Sequence, residues 1–202
     1  MCQARIRYGD QMTTGRMEAF SDGVIAILIT IMVLELKIPH GASWEALRPL
    51  VSVFLTYVVS FTFVGIYWNN HHHMLHLATT ITGRILWANL HLLFWLSLIP
   101  FATGWMGEND FAPLPTALYG VVLLLSGVAY LILQNAIIAS QGSESRLAAA
   151  VGRDLKGKLS AALYAIAIPS AFANHWISEA IYVGVALMWL VPDPRIEARL
   201  AG

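Results

Sequence analysis

The chain has 202 residues, of which 57% are apolar and only 12% are charged, whereas soluble domains carry roughly 25% charged residues. This composition is typical of an integral membrane protein. Twelve Lys and Arg residues balance twelve Asp and Glu residues, so net charge gives no reason to expect a nucleic-acid partner. The single cysteine, Cys2, excludes an internal disulfide and a CxxC metal motif.

The first apolar segment, residues 17–37, is bounded by charge on both sides. Only twelve uncharged residues separate Asp22 from Glu35, too few to span a hydrocarbon core of ~30 Å at ~1.5 Å per residue. A spanning helix therefore carries one of these carboxylates with it. Because charges inside a membrane usually face a bundle interior or an aqueous path, the first helix is the leading candidate for function.

Five further apolar segments follow the first. They are residues 47–70, 85–106, 113–139, 158–174 and 176–191. We therefore predict an all-α membrane protein with six transmembrane helices, forming a single domain over residues 1–202 with a cytoplasmic loop at 140–157. Pro100 and Pro169 lie inside predicted helices, where we expect them to produce kinks.

The Lys and Arg residues are distributed unequally between the two predicted sides of the membrane. If the N-terminus is cytoplasmic, ten cations lie inside and two, Lys37 and Arg48, lie outside. The inner cations are Arg5, Arg7, Arg16, Arg84, Arg146, Arg153, Lys156, Lys158, Arg195 and Arg199. This bias predicts that both termini face the cytoplasm.

Polar residues within the predicted helices gather on the same cytoplasmic side. Asn89 lies five residues beyond Arg84, which places it about 7 Å deep at helical rise, so its amide needs a buried partner. We expect a hydrogen-bonded network to fix the cytoplasmic end of the first helix. Its predicted members are Arg16, Asp22, Asn69, His72 and Asn89.

A run of histidines, His71–His73, closes the second predicted helix, and His76 follows it. His72 and His76 have the i, i+4 spacing of two helical metal ligands, but no carboxylate or cysteine lies near them in sequence. A structural or interfacial role is favoured over metal binding, and pH sensing is a third reading because histidine titrates near neutrality. We predict no metal site.

Catalytic motifs do not stand out in the predicted helices. The sequence contains no HExxH and no GxSxG, and a single Asp lies near a helix end. Scattered serines in membrane helices usually serve packing. We therefore expect that the protein is not an enzyme and that it binds no cofactor.

On a helical wheel, one stripe of the first helix runs from a cation through a small residue to bulky aliphatic residues. Its members are Arg16, Phe20, Gly23, Ile27, Ile31 and Leu34, with Thr30 at its edge. The stripe either packs against other helices or faces a symmetry axis, where rings of Ile and Leu form a narrow, dry constriction. Periodicity does not choose between these readings.

Three motifs bear a resemblance to a known family. Arg16-x-x-x-Phe20-Ser21-Asp22 matches the RxxxFSD signature of the transmembrane protein 175 family of potassium channels, at the start of the first helix. YWNNHH (67–72) and LWANL (86–90) leading to LIPF (98–101) also resemble its bacterial members. The resemblance therefore extends over residues 16–101.

This resemblance implies a six-helix subunit, with four copies around an axis in the bacterial plasma membrane. It also implies that the first helix lines the pore and that Ile27 forms the main constriction. Ile31 and Leu34 then follow outward, with Thr30 as a polar layer. The implied partners are further copies of this chain, the lipid bilayer and permeant potassium ions.

A transporter is the alternative reading of the same polar residues. Asp22, His72 and His91 would then couple the movement of protons or a small solute. For a channel, the lack of a TVGYG-like run means that no carbonyl filter of the usual kind is available. Selectivity would arise from pore width and from hydroxyl groups near the constriction.

Overall fold

The computed structural model describes residues 13–142, 145–152 and 154–190, and over this part of the chain it contains helices and no strands. The inner cations at positions 5, 7, 153, 195 and 199 lie outside the described residues. The α-helices are α1 (Thr14–Leu34), α2 (Val51–His76), α3 (Gly83–Ser97), α4 (Ile99–Glu108), α5 (Pro113–Gln141), α6 (Arg146–Val151), α7 (Leu155–Ala173) and α8 (His175–Leu190). A 3-10 helix, Trp44–Leu50, leads into α2.

These helices overlap all six predicted segments, but two segments are interrupted. The second starts as the 3-10 helix, which contains Pro49. The third is divided between α3 and α4 at Leu98. Pro100 accounts for that division because proline has no N–H to donate to the carbonyl four residues earlier. Pro169, by contrast, lies within a continuous α7.

The remaining two differences concern the loop and the last helix. The predicted loop 140–157 contains the short helix α6, and α5 extends to Gln141. The predicted last segment ends at residue 191, which lies outside the described residues, and α8 is described to Leu190.

Polar side chains cap the first turns of α1, α3 and α7. Thr13 Oγ1 accepts from the Arg16 N–H at 3.4 Å before α1, and Thr82 Oγ1 accepts from the Ile85 N–H at 3.3 Å before α3. Asp154 Oδ1 accepts from the Gly157 N–H at 3.1 Å before α7. Each side chain satisfies one of the backbone donors that have no partner in the first helical turn.

Within the described residues, four helical stretches are long and apolar enough to cross a membrane. They are Thr14–Leu34, Trp44–His76, Gly83–Glu108 and Pro113–Gln141, and α8 is a shorter apolar helix. The chain is thus an all-α, multi-pass membrane protein. We call the end of the bundle where α1 begins the inner end, following the predicted orientation, and the opposite end the outer end.

The helix α5 lies at the centre of the bundle and packs against α3, α4, α7 and α8. The helix α1 lies at the edge, where it packs mainly against α2, α3 and α4. One side of α1 is therefore left without a neighbour in the subunit.

A glycine brings α4 close to α2 at the outer end. A Cβ atom on Gly107 would lie 2.8 Å from Val53 Cα and 2.6 Å from Thr56 Oγ1. Small residues permit this kind of close approach between membrane helices. The short distance between α2 and α4 therefore depends on the absence of a side chain at this position.

Candidate functional site

The helix α1 has two faces of different surroundings. On one face, α1 is buried against the rest of the subunit. The buried residues are Met17, Ser21, Ile25, Leu28 and Met32. The predicted stripe lies on the other side: Phe20 is 54% exposed, Ile27 56%, Ile31 40% and Leu34 75%. Thr30 is also exposed, and its hydroxyl donates to the Ile27 carbonyl at 2.9 Å. A continuous aliphatic surface thus points away from the subunit core.

Three buried side chains join α1, α2 and α3 near the inner end. Ser21 Oγ donates to the Met17 carbonyl at 2.8 Å, and Asn89 Nδ2 donates to Ser21 Oγ at 2.9 Å. Asn89 Oδ1 lies 2.7 Å from His71 Nε2. Because the serine proton is committed to the carbonyl, the asparagine must donate to Ser21 and accept from His71. The proton of neutral His71 is therefore assigned to Nε2.

Two further contacts tie the first turns of α1 to the last turns of α2. The Trp68 indole N–H donates to Asp22 Oδ1 at 3.0 Å, and His72 Nδ1 lies 2.7 Å from Glu18 Oε1. Asp22 thus accepts a hydrogen bond from α2. The inner end of α1 is held by α2 through both of its acidic residues.

The structure places some of the predicted network residues in these contacts and leaves others outside them. Asp22, His72 and Asn89 take part in these contacts, as does the signature residue Ser21, whereas Asn69 is exposed and lies outside them. Phe20 and Arg16 are exposed at the inner end of the stripe. Helical phase explains the position of Asn69, since it lies nine residues after the buried Ser60, half a turn out of phase at ~100° per residue.

Three contributors were missed by the sequence prediction: Glu18, Trp68 and His71. A usable signal exists for His71, because it lies eleven residues, close to three full turns, after Ser60 and so falls on the buried face of α2. No comparable signal marks the side chains of Glu18 and Trp68. Their pairing depends on how α1 and α2 cross.

The histidines His72, His73 and His76 of α2 make local ring contacts. The His72 ring lies 5.5 Å from that of His73 and 6.3 Å from that of His76. Across the described ranges, no group of three His, Cys, Asp or Glu residues is placed to hold a metal ion. His91 is exposed on α3 and accepts from the Trp95 indole N–H at 2.9 Å, so it is a surface residue of this subunit.

Charged residues at the outer end hold α1 close to α4. The Glu35 side chain lies over Gly104, where a Cβ atom would be 2.9 Å from Glu35 Oε2. Lys37 forms an ion pair with Glu108 at the end of α4. The hydrogen bond to Glu108 and the Glu108 charge raise the pKa of Lys37 above its usual value of 10.5, so the lysine stays charged at neutral pH.

Comparisons with known proteins identify the family. A family model described as the endosomal/lysosomal potassium channel TMEM175 matches residues 16–100. A potassium channel from a Chryseobacterium species is 53% identical over 189 residues, covering 94% of this chain and 98% of the relative. The chain belongs to the TMEM175 family.

More distant TMEM175 relatives extend the likeness to structure. A potassium channel from Chamaesiphon minutus is 28% identical over 192 residues, covering 88% of this chain and 94% of the relative. The crystal structure of a lysosomal potassium-selective channel TMEM175 homolog from the same organism matches with a TM-score of 0.74 at 25% identity. That match covers 88% of this chain and 96% of the homolog. The region matched by the TMEM175 model includes α1 from Arg16 onward, α2 and α3, and hence the whole Ser21, Asn89 and His71 contact.

Proposed function

We propose that this protein is a potassium-permeable cation channel in which four copies surround a central axis and α1 lines the pore. The relatives described above are named potassium channels. The observation that carries the proposal is the exposed aliphatic stripe of α1, which faces away from the core of its own subunit. In an assembly of four copies, the α1 helices of the other copies would cover this stripe, and the stripes together would line a path along the symmetry axis.

The constriction is assigned to the aliphatic layers of the stripe. Around a fourfold axis, Ile27 from each copy forms one ring, and Ile31 and Leu34 form further rings toward the outer end. An apolar ring offers a potassium ion no replacement for its hydration shell, so a narrow ring is dry and closed, and a wider one becomes wet and conducts.

Thr30 supplies the polar layer between the aliphatic rings. Its hydroxyl proton is directed to the Ile27 carbonyl at 2.9 Å, which leaves the oxygen lone pairs available to a passing cation. No charged residue lies between Asp22 and Glu35. Selectivity for potassium is therefore attributed to pore width and to a ring of hydroxyl oxygens.

The inner network serves as the anchor of the pore helix in this proposal. Asp22, Ser21 and Glu18 are each engaged by a residue of α2 or α3. They fix the rotation of α1 about its own axis, and rotation decides which side chains face the pore. The network acts on conduction by positioning, at a distance from the ion path.

The alternative transporter would need Asp22, His72 and His91 to serve one path. These residues instead have separate partners, Trp68, Glu18 and Trp95. His91 is exposed on α3, and it makes its contact within that helix. The channel is therefore the better supported function.

The channel proposal is tested by ion flux after the oligomer has been measured. Protein that is tetrameric by mass in detergent is placed in liposomes of known lumen composition. We expect potassium to leave faster than sodium, at rates far above the ~10³ per second that bounds ordinary turnover numbers. Tetramers without potassium flux, or monomers with saturable exchange, would contradict it.

The proposed location is the inner membrane of a bacterium, with both termini in the cytoplasm. The ten-to-two distribution of cations supports this orientation. Trp68 and Trp87 are exposed near the inner end, and Trp44 and Trp176 near the outer end, as expected for residues at the two membrane surfaces. Protease or labelling access to an added C-terminal tag, in intact and in broken cells, tests the orientation.

A further inference from the structure

Two polar side chains, Asn69 of α2 and His91 of α3, are exposed on the surface of the subunit in its inner half. Asn69 lies seven residues before the end of α2, and His91 lies eight residues after the start of α3. At helical rise, both are about 10–12 Å from the inner helix ends. His91 is also about 6 Å deeper than the exposed Trp87, which lies at the predicted membrane surface. Lipid chains offer no hydrogen bond at such a depth, so both side chains need a polar partner.

The hydrogen bond that His91 makes within α3 leaves its other ring nitrogen as a donor. Trp95 Nε1 donates to His91 Nε2 at 2.9 Å. Because an indole N–H can only donate, Nε2 carries no proton, and the neutral ring carries its proton on Nδ1. In the part of the chain that the structure describes, neither His91 Nδ1 nor the Asn69 amide has a hydrogen-bond partner. The Nδ1–H donor of His91 and the Oδ1 acceptor of Asn69 are therefore complementary.

A buried contact between α2 and α3 fixes the relative depth of these two residues. His71 Nε2 and Asn89 Oδ1 lie 2.7 Å apart. The helix α2 ends at the inner end of the bundle and α3 begins there, so the two helices run in opposite directions. Asn69 and His91 each lie two residues farther outward than one of the two partners, a rise of about 3 Å on both helices. Asn69 and His91 therefore lie at the same level in the membrane.

The two side chains nevertheless point to opposite sides of the subunit. Two residues turn an α-helix by ~200°, so Asn69 points away from the side on which His71 contacts α3. For the same reason, His91 points away from the side on which Asn89 contacts α2. The exposure of both side chains agrees with these directions. Within one subunit, Asn69 and His91 therefore do not meet.

Apolar side chains share the outward faces that carry Asn69 and His91. Each lies within about 60° of the polar residue of its own helix, at ~100° per residue. The exposed members are Leu55 and Val58 on α2, and Trp87 and Phe94 on α3. Between two packed copies, such side chains would surround a polar pair and exclude water and lipid from it.

We propose that His91 Nδ1–H of one copy donates a hydrogen bond to Asn69 Oδ1 of the next copy around the pore axis. Rotation about an axis normal to the membrane keeps every residue at its own depth, so the two different surfaces that meet in a closed ring lie at one level. Asn69 and His91 satisfy this condition from opposite sides of the subunit. The inference rests on the proposed fourfold channel and adds the faces of α2 and α3 that join its subunits.

Disulfide cross-linking between two different chains tests the contact. A tagged chain with Asn69→Cys and an untagged chain with His91→Cys are produced together, both with Cys2→Ser so that no other thiol is present. Oxidation in membranes should give a covalent dimer of one tagged and one untagged chain, and neither chain produced alone should give a dimer.

The matched control replaces His91→Cys with Ala162→Cys. Ala162 is exposed on α7, seven residues after the start of that helix, and so lies at a comparable depth on another side of the subunit. We expect at least about tenfold less cross-linking between positions 69 and 162 than between positions 69 and 91. Tetramer formation by each variant is measured first by mass in detergent.

The hydrogen bond itself is tested by a double-variant cycle on dissociation of the tetramer, followed by native mass spectrometry. One hydrogen bond between membrane helices changes an equilibrium about threefold. A ring repeats the bond in every copy, so Asn69→Leu should increase dissociation at least about tenfold. In a His91→Phe background, where the donor is already missing, Asn69→Leu should have a smaller effect than it has alone.

The possible outcomes separate this inference from the proposed channel. Tetramers that give no cross-link between positions 69 and 91, or that cross-link as readily through position 162, would overturn the inference and leave the channel standing, with both side chains facing lipid. Additive effects of Asn69→Leu and His91→Phe would overturn the hydrogen bond even where the cross-link forms. Protein that is monomeric by mass would overturn the inference together with the proposed function.

Discussion

Asn89 is the residue through which side-chain hydrogen bonds connect three helices. Its amide accepts from His71 of α2 and donates to Ser21 of α1, and all three side chains are buried. The donor and the acceptor of each bond are fixed, because the Ser21 hydroxyl already donates its proton to the Met17 carbonyl and can only accept from Asn89. The arrangement therefore specifies one rotation of α1 against α2 and α3.

Replacing Asn89 with Leu should destabilise the folded protein. Leucine has a similar volume, but it leaves the His71 Nε2–H buried without an acceptor. An orphaned buried donor costs about 1–3 kcal/mol, more than the ~0.6 kcal/mol typical of one bond between membrane helices. Denaturant unfolding in detergent measures the loss. Ser97→Ala removes an exposed hydroxyl and should change stability by less than about 0.5 kcal/mol.

The double variant Asn89→Leu with His71→Phe separates an orphaned donor from lost packing. Removing both partners of a buried hydrogen bond is close to neutral when the shape is kept. We therefore expect the double variant to be more stable than Asn89→Leu alone. A double variant that is less stable, by the sum of the two single losses, would contradict the donor assignment.

At the scale of the helix, α1 combines a network that anchors it with a stripe that faces outward. Sequence periodicity predicts the stripe, because residues at helical spacing share a face in any α-helix. It does not predict the partners, because these depend on where α2 and α3 cross α1. Asn69 and His71 illustrate this limit: both are polar, and only the phase of α2 relative to Ser60 separates the exposed residue from the buried one.

The break between α3 and α4 can be predicted from the sequence, whereas the close approach of α4 to α2 cannot. Pro100 marks the break through its missing donor. Gly107 looks like the other helical glycines in sequence, and its role appears only when Val53 Cα is found 2.8 Å from where its Cβ would be. Contacts between helices thus account for what local pattern leaves out.

Gly107→Ala should be destabilising because the obstructing atom is backbone and cannot rotate away. Forcing an extra methyl group into a packed contact costs about 1–3 kcal/mol. Gly65→Ala, on the neighbouring helix α2, is the matched control, since nothing lies within 4 Å of its Cβ position. Helix propensity should then stabilise that variant by up to about 1 kcal/mol. Thermal unfolding in detergent compares them; equal melting temperatures would remove the close-contact argument.

At the scale of the whole molecule, a single chain leaves the proposed pore incomplete. The aliphatic stripe is bounded on one side by the subunit and open on the other. Four copies would enclose it, and the inner network and the Lys37–Glu108 pair hold α1 near its two ends. The subunits would therefore contact one another through α1, whose position is fixed by contacts within each subunit.

Ile27→Asn is the test of the constriction in that assembly. An amide in place of each isoleucine gives water hydrogen-bond partners at the narrowest ring, so the dry state becomes less favourable and ion flux should increase. A barrier lower by roughly 1.4 kcal/mol raises flux about tenfold, and the preference for potassium over sodium should fall. The measurement is single-channel conductance and reversal potential in planar bilayers.

The matched control for Ile27→Asn is the same substitution at Ile166, which is 55% exposed on α7, away from the principal neighbours of α1. Both variants place an amide on an exposed surface of the subunit, but only Ile27 lies on the stripe. We expect Ile166→Asn to keep wild-type conductance and selectivity as a tetramer. If both variants conduct as the wild type does, the gate lies outside the Ile27 layer; if both change alike, the effect comes from destabilised helices and not from a wetted ring.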